Sequence, residues 1–124
     1  MDIILADREA EIMEVLWDRG PSTVSEVKDR VPDELAYTTV LTILRNLESK
    51  GFIAHATHGK AHRYSALVQR DSARRSAVQA MAHKFFKGST SMLLTHLVAD
   101  EKLEPEDVKR LRTLLTKQAR KSRP

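Results

Sequence analysis

The sequence has no cysteine among its 124 residues, which excludes disulfides, thiolate metal sites and catalytic cysteines. Aromatic residues make up only 5%, so a core must be built mostly from aliphatic side chains and methionine. The acidic N-terminus has too short an apolar run for a signal peptide, and no later run is long enough to cross a membrane. We therefore expect a cytoplasmic protein with no stable membrane association, made of one domain or of one small domain with an appendage.

The signatures of catalysis are missing as well. The sequence has no glycine-rich phosphate-binding loop and no Ser, His and Asp in the order and context of a catalytic triad. Its carboxylates fall on helix faces and in first turns, where the helix dipole and ion pairing account for them. We therefore expect neither an enzyme nor a cofactor. An excess of 21 basic over 17 acidic residues gives a net charge of +4, which favours a polyanionic partner.

One helix, predicted over residues 35–51, organises the remainder of the chain. Its apolar residues recur at the helical spacing i, i+3, i+4 and i+7: Val40, Ile43, Leu44 and Leu47. The opposite face carries hydroxyls, one guanidinium and one amide but no acid: Thr38, Thr42, Arg45, Asn46 and Ser49. Gly51 suits the left-handed position after the last turn. Such a face suits a phosphate-lined groove, although an amphipathic helix with a merely solvated polar face has the same pattern.

Two helices are predicted before it. Apolar spacing predicts the first from Asp7 to about Arg19, with Asp7 as the cap or in the first turn. Thr23 and Glu26 have the spacing of a capping box, which opens a short helix that Pro32 breaks. Two short helices joined by a tight turn, with the second presenting a polar outer face, match the helix-turn-helix arrangement.

A β-hairpin is predicted directly after the central helix, because the apolar period changes there from 3.6 to 2. Residues 52–57 and 61–66 form its strands around the turn His58-Gly59-Lys60. We expect Ile53 and Tyr64 to face inward. A basic hairpin that follows a recognition-type helix is a wing, and the combination strongly favours DNA binding.

The remaining apolar periodicity predicts helices near residues 71–87, 89–97 and 105–117. So short a segment seldom supplies its own core, so we expect its apolar seam to pack against a second copy of the chain. The alternative is that these helices pack back on the first domain. The protein is thus predicted to be mainly α-helical with a small β-hairpin wing, residues 1–68 forming a winged-helix DNA-binding domain and residues 69–124 a helical dimerisation domain. The expected interface residues are Met81, Phe85, Leu93, Leu97, Val108, Leu111 and Leu115.

Eight residues are expected to contact DNA: Tyr37, Thr38, Thr39, Thr42, Arg45, Asn46, Lys60 and Arg63. The threonines and Asn46 are short, so they reach base edges or phosphates only from a helix deep in the major groove. Thr39 lies in the first turn and is assigned partly to capping. Tyr37 and Arg45 are expected on phosphates, and Lys60 and Arg63 add charge to the backbone contacts. At each position the alternative is a solvated surface residue.

The histidines of the hairpin leave further alternatives open. His55 and His62 are expected to share one face, with His58 at the turn, which suggests a metal-responsive regulator. Zinc or copper needs three or four ligands in fixed geometry, and no carboxylate or thiol of the hairpin completes such a set. We therefore expect no metal site, and polar contacts to phosphates are the simpler role. His83 and His96 have apolar neighbours and are expected to pack. A dimeric adaptor whose winged helix binds protein is another alternative.

The chain resembles regulators of the penicillinase repressor family over nearly its whole length. The matching segments are Arg8–Trp17, Thr23–Val27, Ala36–Thr42, Leu47–Gly51, Gly59–Tyr64, Phe86–Ser89 and Leu103–Leu115. The resemblance implies a homodimeric winged-helix repressor, bound to a palindromic operator, that silences β-lactamase, methicillin-resistance or copper-homeostasis genes. In the antibiotic-responsive members, a membrane-bound sensor metalloprotease triggers cleavage and release.

Two departures from this family pattern limit what carries over. The copper-responsive branch ends in a cysteine-rich metal motif, and the absence of cysteine excludes that mode of sensing. The β-lactam-responsive branch is cut at an Asn-Phe bond in the short helix of the dimerisation region. The corresponding stretch is Leu94–Leu97, which has neither residue. Release by proteolysis, with a sensor metalloprotease as partner, therefore stays an implication of the resemblance that the cleavage-site sequence does not support.

Overall fold

The computed structural model describes residues 2–100 and 102–121, with the backbone alone at His58. Within these residues the chain forms six helices and one hairpin. The helices are α1 (Asp7–Arg19), α2 (Val24–Arg30), α3 (Tyr37–Ser49), α4 (Arg70–Phe85), α5 (Thr90–Asp100) and α6 (Pro105–Lys121). The strands β1 (Ile53–His58) and β2 (Ala61–Ala66) lie between α3 and α4 and pair antiparallel. The predicted mainly α-helical fold with a β-hairpin wing is confirmed.

The first two helices begin with the same device, a glutamate that reaches back to the N-cap backbone. At α2 the hydroxyl of Thr23 accepts the N–H of Glu26 at 3.2 Å, and the Glu26 carboxylate accepts the N–H of Thr23 at 3.0 Å. The predicted capping box is therefore confirmed. At α1 the N-cap residue is Ala6, whose N–H donates to the Glu9 carboxylate at 2.9 Å, and Asp7 lies in the first turn.

α3 buries the predicted apolar stripe, since Val40, Leu44 and Leu47 are all fully buried. The N-cap position is held by Ala36, and no side chain caps this helix, so the assignment of Thr39 to capping is wrong. Thr39 is the third helical residue, and its hydroxyl is too short to reach back to the N-cap amide as a glutamate does. After the last turn Gly51 adopts φ +83°, the left-handed conformation predicted for it.

Both strands of the hairpin pack against the helices, and the second strand is also hydrogen-bonded to the link between α1 and α2. The turn consists of Gly59 and Lys60, with Gly59 at φ +65°. Ile53 and Tyr64 are buried, as predicted. The backbone of Tyr64 also exchanges two hydrogen bonds, of 2.8 and 2.9 Å, with Ser22 in the link between α1 and α2. These bonds fix the wing relative to the helix-turn-helix.

The chain divides into two compact units, residues 1–80 and 81–124, with the division inside α4. The first unit has a core between the first three helices and the hairpin. Its most deeply buried apolar residues are Ile12, Met13, Val27, Val40, Leu44, Leu47 and Ile53. The functional division after residue 68 stays a prediction.

The first half of α4 packs on α1 within the first unit. The indole N–H of Trp17 donates to the carbonyl of Val68 at 2.9 Å. The Arg70 guanidinium lies 5.6 Å from the centre of the Trp17 ring and 2.8 Å from the Glu14 carboxylate, and it also pairs with Asp18. A winged helix cut at residue 68 would therefore lose the helix that covers one side of α1.

The second unit has little core of its own. No residue of α5 or α6 is buried, and Ala82 is the single buried residue among those described in this unit. An apolar groove of about 420 Å³ runs between its helices. The groove is lined by Leu94, Val98, Leu103, Val108, Leu111, Arg112, Leu114, Leu115 and Gln118. Across the described ranges, no helix is long and apolar enough to cross a membrane.

Candidate nucleic-acid interface

α3 presents an exposed face without acids. The predicted contact residues on it are all exposed: Tyr37, Thr38, Thr39, Thr42, Arg45 and Asn46. The hydroxyl of Thr42 donates to the carbonyl of Thr38 at 2.9 Å, so its lone pairs are left for a donor outside the helix. In the described part of the chain, Arg45 makes no ion pair, so its full charge is available to a ligand.

A cleft of about 630 Å³ opens beside this face, between α2, α3 and the wing. It is lined by Thr23, Val24, Ser25, Tyr37, Leu41, Arg45, Glu48, His55, Lys60, Ala61, His62 and Tyr64. The cleft brings the predicted recognition helix and the turn of the wing into one concave surface. Arg45 and Lys60 stand on its two sides, and Glu48 is the one carboxylate that lines it among the described residues.

Arg63 has different surroundings from Arg45 and Lys60. Its guanidinium donates to the Glu26 carboxylate at 3.3 Å, and the same carboxylate pairs with Arg19. Arg63 does not line the cleft. Its contact with DNA stays a prediction, but part of its charge is already compensated within the protein.

The wing histidines lie together on the sheet face that looks into the cleft. His55 and His62 stack with ring centroids 4.6 Å apart and an angle of 6° between their planes. His55 Nδ1 lies 2.6 Å from a carboxylate oxygen of Glu48. The nitrogens of two parallel rings point sideways, so they do not converge on one metal position. The described residues also contain no group of three or more side chains placed to hold a metal ion. His58 was predicted at the turn beside these rings, and its side chain lies outside the described part of the chain.

Tyr64 forms the floor of the cleft beneath these rings. Burial raises the pKa of its hydroxyl, and the charge of Glu48 raises it further against the opposing effect of Arg45. Its ring lies 5.5 Å from that of His55. The floor of the cleft is therefore a neutral phenol across the physiological pH range.

An ion pair fixes the far end of α3. Lys50 Nζ lies 2.8 and 3.0 Å from the two carboxylate oxygens of Glu9, at the start of α1. Burial alone would raise the pKa of Glu9, but the hydrogen bonds from Lys50 and from the Ala6 N–H outweigh it, and the pKa lies below its ordinary value. The pair links the end of α3 to the start of α1.

The sequence profile of the penicillinase repressor family matches residues 5–117 of this chain. The chain belongs to the penicillinase repressor family. It is 34% identical over 115 residues to the transcriptional regulator BlaI of Mycobacterium tuberculosis, across 90% of this chain and 82% of that protein. It is 23% identical over 115 residues to the methicillin resistance regulatory protein MecI of Staphylococcus aureus, across 91% and 94% of the two chains.

Solved structures agree on the fold of this penicillinase repressor family member. It is similar to monomeric BlaI of Bacillus licheniformis in complex with the blaP half-operator, with a TM-score of 0.50, 23% identity and coverage of 58% of this chain and 90% of that one. It is similar to MepR of Staphylococcus aureus, which regulates the multidrug efflux pump MepA, with a TM-score of 0.51, 16% identity and coverage of 96% and 81%. The chain is therefore a DNA-binding transcriptional repressor with a winged helix, and not an enzyme, as the sequence predicted.

The predicted interface residues of this repressor fall into two groups. Met81, Phe85, Leu97 and Leu115 are exposed, and Phe85 is the most open, with 66% of its surface accessible. Leu93, Val108 and Leu111 are half-buried. Val108, Leu111 and Leu115 line the apolar groove of the second unit, whereas the other four do not.

Sequence reasoning missed two features of the cleft. The N-terminus of α2 contributes Thr23 and Ser25, although Thr23 was assigned to capping alone. Glu48 was not among the predicted site residues, and its pairing with His55 was not anticipated. The alternation of the hairpin and the helical spacing of α3 are the signals that could have placed Glu48 and His55 near each other. Neither signal shows how the hairpin packs against α3, and their contact depends on that packing.

Proposed function

We propose that this protein is a homodimeric repressor that binds a palindromic operator, with α3 in the major groove and the wing on the sugar-phosphate backbone. The observation that carries the proposal is the exposed, acid-free face of α3 beside a cleft that also holds Lys60. A helix fits the major groove, and there hydroxyl and amide groups read base edges while cations contact phosphates. Thr42 and Asn46 are the proposed base-reading residues, and Tyr37 and Arg45 the proposed phosphate contacts.

The second unit supports the homodimer because its apolar groove has no covering element within the unit itself. Its helices α5 and α6 bury no residue, yet Leu111, Leu114 and Leu115 of α6 line one groove. A second copy supplies a matching apolar stripe and closes the assembly by two-fold symmetry. A two-fold protein matches a two-fold operator, with one winged helix for each half-site.

The family supports a role in antibiotic resistance, since MecI of Staphylococcus aureus is a methicillin resistance regulatory protein. A cytoplasmic location is part of the proposal because a repressor must reach operator DNA. Release by proteolysis stays a prediction of the family resemblance. Leu94–Leu97, the stretch in question, lies in α5 with exposed side chains but without the Asn-Phe bond. We therefore do not include cleavage in the proposed mechanism.

Selection of bound duplexes from a random-sequence pool tests the proposed function. The full chain should enrich an inverted repeat whose half-sites lie about one helical turn, or roughly 34–36 Å, apart. Asn46→Ala, which removes a proposed base contact without changing charge, should enrich a repeat degenerate at one position of each half-site. Recovery of no common sequence by the full chain would contradict sequence-specific operator binding.

A further inference from the structure

The stacked imidazoles of the wing have no role in the function proposed above. In the hairpin register His55 pairs with Tyr64 and Thr57 pairs with His62, so the two histidines lie diagonally on one sheet face. Both rings line the cleft between α3 and the wing, where a DNA backbone would lie. Two parallel aromatic rings at this distance also attract each other, which fixes their orientation.

Glu48 determines where a proton can be added. An ionised carboxylate only accepts hydrogen bonds, so the Nδ1 of His55, 2.6 Å from Glu48, carries the hydrogen of that contact. The remaining nitrogen, Nε2, is then the site that takes up a proton from solvent. Two positively charged rings face to face at 4.6 Å would repel each other, so the stacked geometry disfavours a charge on both rings.

The charges around the pair make that proton significant for an anionic ligand. α3 directs Tyr37, Arg45 and Glu48 into the cleft, the wing directs Lys60 and Tyr64, and the lining residues of α2 carry no charge. With neutral imidazoles, two cations and one carboxylate leave a single net positive charge among the described lining residues. One added proton doubles that net charge.

We infer that the stacked His55–His62 pair is a phosphate contact of the wing that takes up one proton when DNA binds. The inference rests on the proposed function, because the phosphate is that of the operator backbone. Imidazole is the side chain that changes charge between about pH 5 and 8, and an adjacent phosphate favours its charged form. DNA affinity should therefore fall as pH rises, by up to about tenfold per pH unit for each winged helix.

The salt dependence gives a second signature. Each neutralised phosphate contributes about −0.9 to the slope of log K against log salt concentration on duplex DNA. Since the protonated pair adds one phosphate contact, the slope should be steeper at about pH 6 than at about pH 8, by roughly one unit for each winged helix. A general effect of pH on folding would leave the slope unchanged.

The test measures binding of the full chain to a fluorescently labelled mixed-sequence duplex by anisotropy, at about pH 6 and pH 8 and at several salt concentrations. The variant His55→Gln with His62→Gln removes both rings and keeps polar side chains. His83→Gln is the matched control, because it removes an exposed imidazole of α4 that does not line the cleft. Glu48→Gln keeps the hydrogen-bond acceptor and removes the one carboxylate. Circular dichroism at both pH values checks that each variant is folded.

As pH rises, wild type and His83→Gln should bind DNA less tightly and with a shallower salt slope. For the double variant, both affinity and salt slope should stay constant with pH. Glu48→Gln should bind more tightly than wild type at the higher pH, because the net positive charge of the cleft increases. A double variant that keeps the wild-type pH dependence would overturn the inference, and so would a wild-type protein whose affinity and slope do not change. If the wild type binds no duplex at either pH, the proposed function itself fails.

Discussion

The two compact units of this repressor place their apolar side chains in opposite ways. In residues 1–80, the apolar faces of α1, α2 and α3 converge on one core together with Ile53 of the hairpin. In the second unit, the helices α5 and α6 bury no residue, and their leucines line an open groove. The first unit therefore has its own core, whereas we expect the second to need a partner surface. In the proposed homodimer, subunit pairing would strengthen operator binding because it holds two winged helices together on the two half-sites.

The largest expected effect is the loss of the proposed pairing through the second unit. Leu111→Asp would bury an unpaired charge in the proposed subunit interface, which costs at least about 3 kcal/mol and should separate the dimer into monomers. Thr113→Asp adds the same charge two residues away, at an exposed position outside the groove, and should leave the dimer intact. Sedimentation of both variants measures the difference. An intact dimer of the Leu111 variant would place the subunit interface elsewhere.

A core substitution should lower the stability of the first unit alone. Leu44→Ala removes a fully buried side chain of α3 and should lower the free energy of unfolding by about 2–5 kcal/mol. The fluorescence of Trp17, the one tryptophan, follows this transition in urea. Met92→Ala shortens a side chain that is 53% exposed in the second unit and lies outside its apolar groove, and it should leave the same transition nearly unchanged. Equal losses in both variants would show that the two units do not differ as described.

Within the first unit, base reading and phosphate binding should separate. Thr42→Ala or Asn46→Ala should lower discrimination by roughly 1–3 kcal/mol at one base pair of each half-site. Arg45→Ala and Lys60→Ala should weaken binding to every sequence alike and reduce the salt slope, because phosphates carry no sequence information. Titrations against operator and random duplex measure both quantities. The division of roles is wrong if all four variants lose affinity equally on the two duplexes.

The smallest expected effect concerns the pair that fixes α3 on α1. Glu9→Gln should cost about 1 kcal/mol at neutral pH, since Lys50 is partly exposed and solvent weakens the pair. The pKa of Glu9 is lowered in the folded protein, so its contribution is complete above the pKa of unfolded glutamate and is lost as pH falls through the folded value. The stability gap between wild type and variant should therefore close in acid, as measured by urea unfolding from neutral to acidic pH. A gap that is constant with pH would show that the charge of Glu9 is not involved.

Local spacing was enough to predict most elements of the first unit. The capping box of Thr23 and Glu26, the apolar stripe of α3 and the left-handed Gly51 each depend on residues within a few positions. Contacts between distant segments could not be predicted in this way. Arg63 is 37 positions from Glu26, yet this contact decides how much of its charge is free for DNA. The roles of the DNA-contact and interface residues stay predictions.

The domain boundary predicted at residue 68 also involves contacts between distant segments. The boundary was placed there because the hairpin was predicted to end at residue 66 and the next helix to begin near residue 71. The carbonyl of Val68 accepts the indole N–H of Trp17, and the guanidinium of Arg70 lies over the Trp17 ring. The start of α4 therefore covers part of α1. A shortened chain that preserves the winged helix should therefore end at Ala80, where the first compact unit ends.

Footprinting of such a chain, residues 1–80, against the full chain on the selected operator tests the central claim most directly. The short chain should remain folded by circular dichroism, sediment as a monomer and bind only in the non-specific range of about 10⁻⁴–10⁻⁶ M. The full chain should protect both half-sites at far lower concentration, because pairing makes the second contact intramolecular. Protection of the whole palindrome by both chains at the same concentration would contradict the claim that the second unit makes this protein a repressor.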